Sequence, residues 1–211
     1  MQLADGAVKT VHRFKYVGST QEPLGSQDAE ITRRLHLAQA VFSRLSRKYL
    51  CATRLPLPPR MSVYKAIVIP TLIYGAAESW APTADQLARL NTFNNRCLRS
   101  MLGIRLSDRV SNEQLYSQTG QPSITSHLQL HRLRWAGHVA RQPNDSPLLR
   151  LLFAHVVSGY TAGRSGAQGT WNACTEKDLR EKQVPVTEWY EHAQNRKLWG
   201  DLIAIQPGSQ S

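Results

Sequence analysis

The sequence predicts a mainly α-helical protein that begins with a β-hairpin. Apolar residues recur at intervals of three and four along most of the chain, which places them on one side of a helix. Serine, threonine and glycine stand at several ends of these segments, where helices are commonly capped. Only residues 1–19 favour strands, because β-branched and aromatic residues follow an Asp5-Gly6 turn dipeptide there.

Length and composition allow a folded core. Of the 211 residues 41% are apolar, which is enough for one medium domain or two small ones. Cys51, Cys97 and Cys174 lie too far apart for a Cys-x-x-Cys metal site, so we expect reduced thiols. The strongest apolar run, residues 66–77, contains Pro70 and is shorter than the about 20 residues of a membrane helix. We therefore expect an intracellular protein, nuclear or cytoplasmic, with no membrane contact.

The first predicted helix runs from Asp28 to Leu50. Its apolar stripe consists of Ile31, Leu35, Ala38, Val41, Phe42 and Leu45. The opposite face is predicted to carry the cations Arg33, Arg34, Arg44, Arg47 and Lys48. After three prolines, a second segment from Arg60 to about Tyr74 is apolar nearly all round, so we expect a central helix that Pro70 kinks.

Capping signals place the later helices. Thr83 with Gln86, and Ser111 with Gln114, match capping boxes of helices that end at Gly103 and near Gly120. A helix beginning at Pro122-Ser123 is predicted to end between Asn144 and Pro147. Residues 158–169 are rich in glycine and predict a linker, followed by amphipathic pieces at 171–182 and 187–199 and a polar tail.

The charge favours a polyanionic partner. Lys and Arg number 26 against 15 Asp and Glu, which gives a net charge of +11. A field of this sign attracts nucleic acid. The alternative, a basic chain that is merely soluble, stays open at this point.

The carboxylates do not form a catalytic pattern. Two-metal polymerases and nucleases need carboxylates close enough to share two ions, and no two of the seven aspartates are adjacent. The glycines at 163–169 lack the Lys-Ser/Thr of a phosphate-binding loop. His131 and His138 stand two turns apart on one predicted helix, too far to share a metal. We therefore predict no catalytic residue, no metal site and no cofactor.

Cations alternate with aromatic residues in two places. One set is Lys15 and Tyr16; the other is Arg132, Arg134, Trp135 and His138. Such sets can hold phosphates and stack on bases. The rings can equally belong to the core, because burial of aromatic side chains is strongly favourable.

Several of these segments resemble one family. Phe14-Lys15-Tyr16-Val17-Gly18-Ser19 resembles the Phe-Lys-Tyr-Leu-Gly motif that follows the palm in LINE-type (non-LTR) retrotransposon reverse transcriptases. Residues 64–75 and 78–80 look like the thumb of that family. Residues 97–104, 108–112 and 132–139 are similar to the region beyond the thumb, in the same order. Val17, Ala136 and Ala173 depart from the pattern, and the fingers, palm and endonuclease of the family are not in this sequence.

The resemblance implies a primer-grip hairpin with its loop at 1–25, a helical thumb-like domain at 26–104, a post-thumb helical region at 105–157, and a linker with two helices and a tail at 158–211. It implies a non-catalytic fragment of an RNA-directed DNA polymerase that holds RNA or DNA, as hybrid or duplex, beside a palm domain. Lys15 and Tyr16 are expected to hold the primer, the cations of the first helix to line the duplex, and the set at 132–138 to contact template or target. The alternative is a helical protein-interaction or scaffold domain derived from a mobile element.

Overall fold

The structure is a computed structural model, which describes residues 27–74, 78–150 and 171–204 and the backbone of four short strand segments before them. Gln2–Leu3 pairs antiparallel with Gly6–Ala7, and Phe14–Tyr16 pairs antiparallel with Ser19–Gln21. Pieces of two and three residues do not establish the predicted N-terminal hairpin, which stays a prediction. The predicted linker at 158–169 and the tail lie outside the described residues.

The described part of the chain is mainly α-helical, as the sequence predicts. Helix α1 spans Asp28–Leu45 and continues as a π-helical turn, Ser46–Leu50. Helix α2 (Leu57–Val63) runs through a second π-helical turn (Tyr64–Val68) into α3 (Ile69–Ile73). Next come α4 (Ala84–Leu102), a 3-10 turn (Leu106–Asp108), α5 (Asn112–Thr119) and α6 (Ile124–Ala140). Residues 147–150 are helical (α7), and α8 (Trp171–Glu181), α9 (Trp189–Gln194) and α10 (Arg196–Ile203) follow.

The predicted capping boxes are confirmed. The Thr83 hydroxyl accepts a hydrogen bond from the Gln86 backbone at 3.3 Å, and the Gln86 side chain accepts one from the Thr83 backbone at 3.0 Å. Ser111 and Gln114 form the same pair of bonds. Gly103, at φ 71°, ends α4 in the left-handed conformation that glycine adopts without strain. These local signals therefore fix both ends of α4 and the start of α5.

A first core cluster joins α1, the α2–α3 segment, α4, α5 and the start of α6. Its fully buried side chains include Ile31, Leu50, Tyr64, Leu90, Leu115 and Leu128. The Tyr64 hydroxyl donates to the Asn94 side-chain oxygen at 2.9 Å, which satisfies a polar group that would otherwise be costly to bury. The α2–α3 segment is central as predicted, but Ile67 stays exposed on its outer side. We refer to residues 27–128 as the first unit.

A second core cluster joins the C-terminal half of α6 to α8, α9 and α10. The Trp199 indole, buried between them, donates to the Leu133 carbonyl at 3.0 Å. The prediction of one continuous amphipathic segment at 187–199 is wrong, because Asn195 divides it into two helices. Its side chain accepts hydrogen bonds from the backbones of Lys197 and Leu198 and so starts a new helix. We refer to residues 129–150 with 171–204 as the second unit; the two clusters meet along α6.

No helix of the described ranges is long and apolar enough to cross a membrane. Helix α6 ends at Ala140, a few residues before the predicted end. Cys51, Cys97 and Cys174 are free thiols, as the sequence predicts.

Candidate nucleic-acid interface

Positive charge is concentrated in the first unit. Residues 27–128 contain thirteen Lys and Arg against six Asp and Glu. The second unit contains nine Lys and Arg against seven Asp and Glu, so its charges nearly balance. A polyanion is therefore attracted mainly to the first unit.

The end of α1 presents an exposed group of cations. Arg44, Arg47 and Lys48 are exposed. Arg47 and Lys48 stand three and four residues after Arg44, which places all three on one side of the helix. Arg54 is exposed in the turn that follows. No carboxylate of the described residues lies within ion-pair distance of these four cations. We call the four residues the basic end of α1.

The sequence around this group offers no neutralising charge. Between Ile31 and Ala77, a stretch of 47 residues, there is no Asp or Glu. This stretch is the signal that identifies Arg54, which sequence reasoning missed. The predicted residues Arg44, Arg47 and Lys48 lie together on the surface, as a phosphate-binding face requires.

Arg34 does not belong to this surface. Its guanidinium donates to the Glu30 carboxylate at 2.7 Å, lies 5.6 Å from the centre of the Tyr74 ring, and leaves Arg34 only 5% exposed. Arg33 binds the same carboxylate at 2.7 and 2.9 Å, but a third of its side chain is exposed. The contact with Glu30 raises the pKa of Arg33. The prediction that Arg34 lines the outer face is therefore wrong, because the carboxylate one turn earlier holds it inside.

Arg132 is also an internal residue. It is 5% exposed and donates two hydrogen bonds to the Asp178 carboxylate, at 2.7 and 3.0 Å, and a third to the Trp80 carbonyl at 3.2 Å. Burial raises the pKa of Asp178, and Arg132 opposes that shift. The predicted contact of Arg132 with nucleic acid is therefore wrong; its role is to join α6 to α8 and to the segment before α4.

The other residues predicted on α6 divide between core and surface. Trp135 is half-buried against Trp171, with ring centres 5.1 Å apart and planes at 79°, so the core interpretation describes it better. Arg134 and His138 are exposed. The side chains of Lys15 and Tyr16 lie outside the described residues, and their primer contacts stay predictions.

Lys65, which sequence reasoning missed, lies near Arg134 together with two histidines whose pKa values are lowered. Lys65, exposed on the π-helical turn before α3, donates to the Gly120 carbonyl at 2.8 Å. Burial, His131, Lys65 and Arg134 lower the pKa of His127 to about 4, and burial lowers the pKa of His131 as well. Residues 127, 131 and 134 have helical spacing, which is the signal that groups them. We call Lys65, His127, His131 and Arg134 the α6 patch.

An open groove of about 400 Å³ lies between α1 and α4. It is lined by Leu35, His36, Gln39, Ala88, Arg89, Thr92, Phe93 and Arg96. We call this cavity the α1–α4 groove. In the described ranges no group of three or more His, Cys, Asp or Glu side chains is arranged to hold a metal ion.

The chain matches no family model, no curated protein and no solved structure. The resemblance to LINE-type reverse transcriptases therefore rests on the motifs of the sequence. The geometry of the basic groups is independent of that resemblance.

Proposed function

We propose that the chain is a non-catalytic nucleic-acid-binding fragment of a LINE-type reverse transcriptase, which holds a primer-template or a target nucleic acid. Its partners would be an RNA-DNA hybrid or duplex, and a palm domain where one is present. The N-terminal hairpin, with Lys15 and Tyr16, would serve as the primer grip. The observation that carries the binding proposal is the basic end of α1, set in 47 residues without a carboxylate.

The physical argument concerns counterions. Duplex DNA presents one negative charge per about 1.7 Å of its axis, and each phosphate that a cation neutralises releases condensed counterions. Arg44 and Lys48 are one helical turn apart, about 6 Å along the axis, so the basic end of α1 can meet several phosphates at once. Because these contacts go to phosphates and not to base edges, binding by this surface tolerates different sequences.

Removing three of these cations tests the proposal. We expect the triple variant R44Q/R47Q/K48Q to bind a fluorescent RNA-DNA hybrid about tenfold more weakly than the unaltered chain at low salt. The control variant K177Q/R180Q/R196Q also removes three exposed cations, but from the second unit, and is expected to change affinity by about twofold or less. Fluorescence anisotropy measures binding, and thermal melting by circular dichroism checks that both variants fold.

The outcomes separate three interpretations. Equal losses in both variants would mean that binding follows net charge and has no particular face. A helical protein-interaction or scaffold domain predicts no salt-dependent binding of any nucleic acid. Primer extension by the pure chain with Mg²⁺ or Mn²⁺ would contradict its assignment as non-catalytic.

A further inference from the structure

The α1–α4 groove has an apolar floor and one cation without an acidic partner among the described residues. Leu35, Ala88 and Phe93 are the apolar residues of its lining, and Phe93 itself is 4% exposed. Arg89 forms an ion pair with the Asp28 carboxylate and donates a hydrogen bond to the Thr32 hydroxyl at 2.6 Å. Arg96 is exposed; its guanidinium donates to the Gln39 side-chain oxygen and lies 5.9 Å from the centre of the Phe93 ring. The positive charge of Arg96 at this end of the groove is thus available to an anionic ligand.

The groove is continuous with the basic end of α1. Gln39, which contacts Arg96, donates to the Ser43 hydroxyl at 2.9 Å, and Ser43 stands one turn before Arg47. Residues 39, 43 and 47 therefore share one side of α1. From Gln39 to Arg47 the helix rises about 12 Å. A stacked strand carries one phosphate per about 3.4 Å, so three or four nucleotides span this distance.

We infer that the α1–α4 groove accepts an unpaired base of a nucleic-acid strand whose phosphates lie on Arg96 and on the basic end of α1. This inference rests on the proposed function and narrows its ligand class to strands with an unpaired region. The apolar floor favours the flat, weakly hydrated face of a base. A fully paired duplex has no free base to place there.

The size and charge of the groove favour a base over a partner helix. A volume of about 400 Å³ is near the lower end of the range for small-ligand pockets, about 300–1,000 Å³. A helix that docks in a groove inserts several side chains along two turns, whereas only three apolar side chains line this cavity. The cations that lead away from it at regular helical spacing suit the repeating charge of a phosphodiester chain.

A comparison of two oligonucleotides with equal charge tests the inference on the unaltered chain. One is a 12-nucleotide single strand; the other has the same backbone with abasic sites in place of every base. A base on the apolar floor removes its own face and the side chains beneath it from water, so we expect the strand with bases to bind about tenfold more tightly. Equal affinities would overturn the inference.

Filling the groove locates the effect. The variant A88L/T92L places two leucines on exposed positions of α4 that line the groove, and S117L/Q118L places two on exposed positions of α5 as a control. We expect A88L/T92L to abolish the preference for bases while its affinity for a blunt RNA-DNA hybrid stays within about twofold. We expect S117L/Q118L to keep both.

The remaining outcomes distinguish the inference from the proposed function. A preference for bases that persists in A88L/T92L would place the bases elsewhere and overturn the inference. If the blunt hybrid binds but bases add nothing, the inference fails and the proposed function stands. If no nucleic acid binds, both fail. An acidic amphipathic peptide could also bind in the groove. If A88L/T92L weakens binding of that peptide and does not weaken binding of the oligonucleotide, the groove takes a peptide and the inference is wrong.

Discussion

Replacing Arg132 with methionine tests whether a buried ion pair holds α6 to α8. The substitution leaves the Asp178 carboxylate buried without the two hydrogen bonds, at 2.7 and 3.0 Å, that it accepts from the guanidinium. It also leaves the Trp80 carbonyl without its donor at 3.2 Å. A buried charge that has lost its partner is costly, because the carboxylate stays desolvated without the bonds that offset its desolvation.

The expected loss is large relative to the stability of a domain. Removing one partner of a buried pair costs about 3–5 kcal/mol, while whole domains are stable by about 5–15 kcal/mol. For a chain of this length each kcal/mol moves the melting temperature by roughly 2–4 °C, so R132M should melt about 10 °C lower. The exposed neighbour gives a matched control, since R134M should change the free energy of unfolding by about 0.5 kcal/mol or less.

A double variant checks the cause. Replacing both partners, as in R132M/D178L, removes the stranded charge and should recover most of the stability that R132M loses. Urea denaturation followed by tryptophan fluorescence and by circular dichroism measures the free energy of unfolding of each variant. If R132M were as stable as the unaltered chain and bound nucleic acid more weakly, Arg132 would be a binding residue and its structural role would be refuted.

Four further substitutions test packing, titration and capping. A β-carbon on Gly137 would lie 2.2 Å from the Trp199 indole nitrogen, so G137A should destabilise the protein by about 1–3 kcal/mol. Gly200 has open space around it, so G200A should stabilise the protein by about 0.5–1 kcal/mol. Thermal melts that shift in the same direction for both variants would contradict this packing. Because burial lowers the pKa of His127 from 6.5 to about 4, the unfolded chain takes up the proton at a higher pH than the folded chain, and the free energy of unfolding should fall by up to about 3 kcal/mol as the pH drops from 6.5 to 4. H127Q should remove most of this pH dependence in urea titrations at several pH values. An unchanged pH dependence in H127Q would refute the role of His127. Loss of the capping hydroxyl in T83A should cost about 1 kcal/mol in the same denaturation assay, and no change would mean that the capping box contributes nothing to stability.

Features that depend on neighbouring residues could be predicted from the sequence. The capping boxes at Thr83 and Ser111 and the left-handed Gly103 involve residues within four positions of one another. The cations Arg44 and Lys48 also follow from helical periodicity alone. Local rules were sufficient in these places because no distant partner competes with them.

The errors arose where a partner changes the role of a cation. Glu30 stands four residues before Arg34 on the same side of α1, so that ion pair could have been found from spacing. Asp178 is 46 residues from Arg132, and only the packing of α8 on α6 brings the two together. The groove between α1 and α4 likewise depends on how two helices pack, which the periodicity of either sequence segment does not determine.

A phosphate-binding face at the basic end of α1 should determine how binding depends on salt. With log Kd for an RNA-DNA hybrid plotted against log salt concentration, each phosphate contact contributes about 0.7–0.9 to the slope. R44Q/R47Q/K48Q should lower the slope by about two to three, and K177Q/R180Q/R196Q should leave it nearly unchanged. An unchanged slope in the first variant, or an equal decrease in both, would contradict a phosphate-binding face at the basic end of α1.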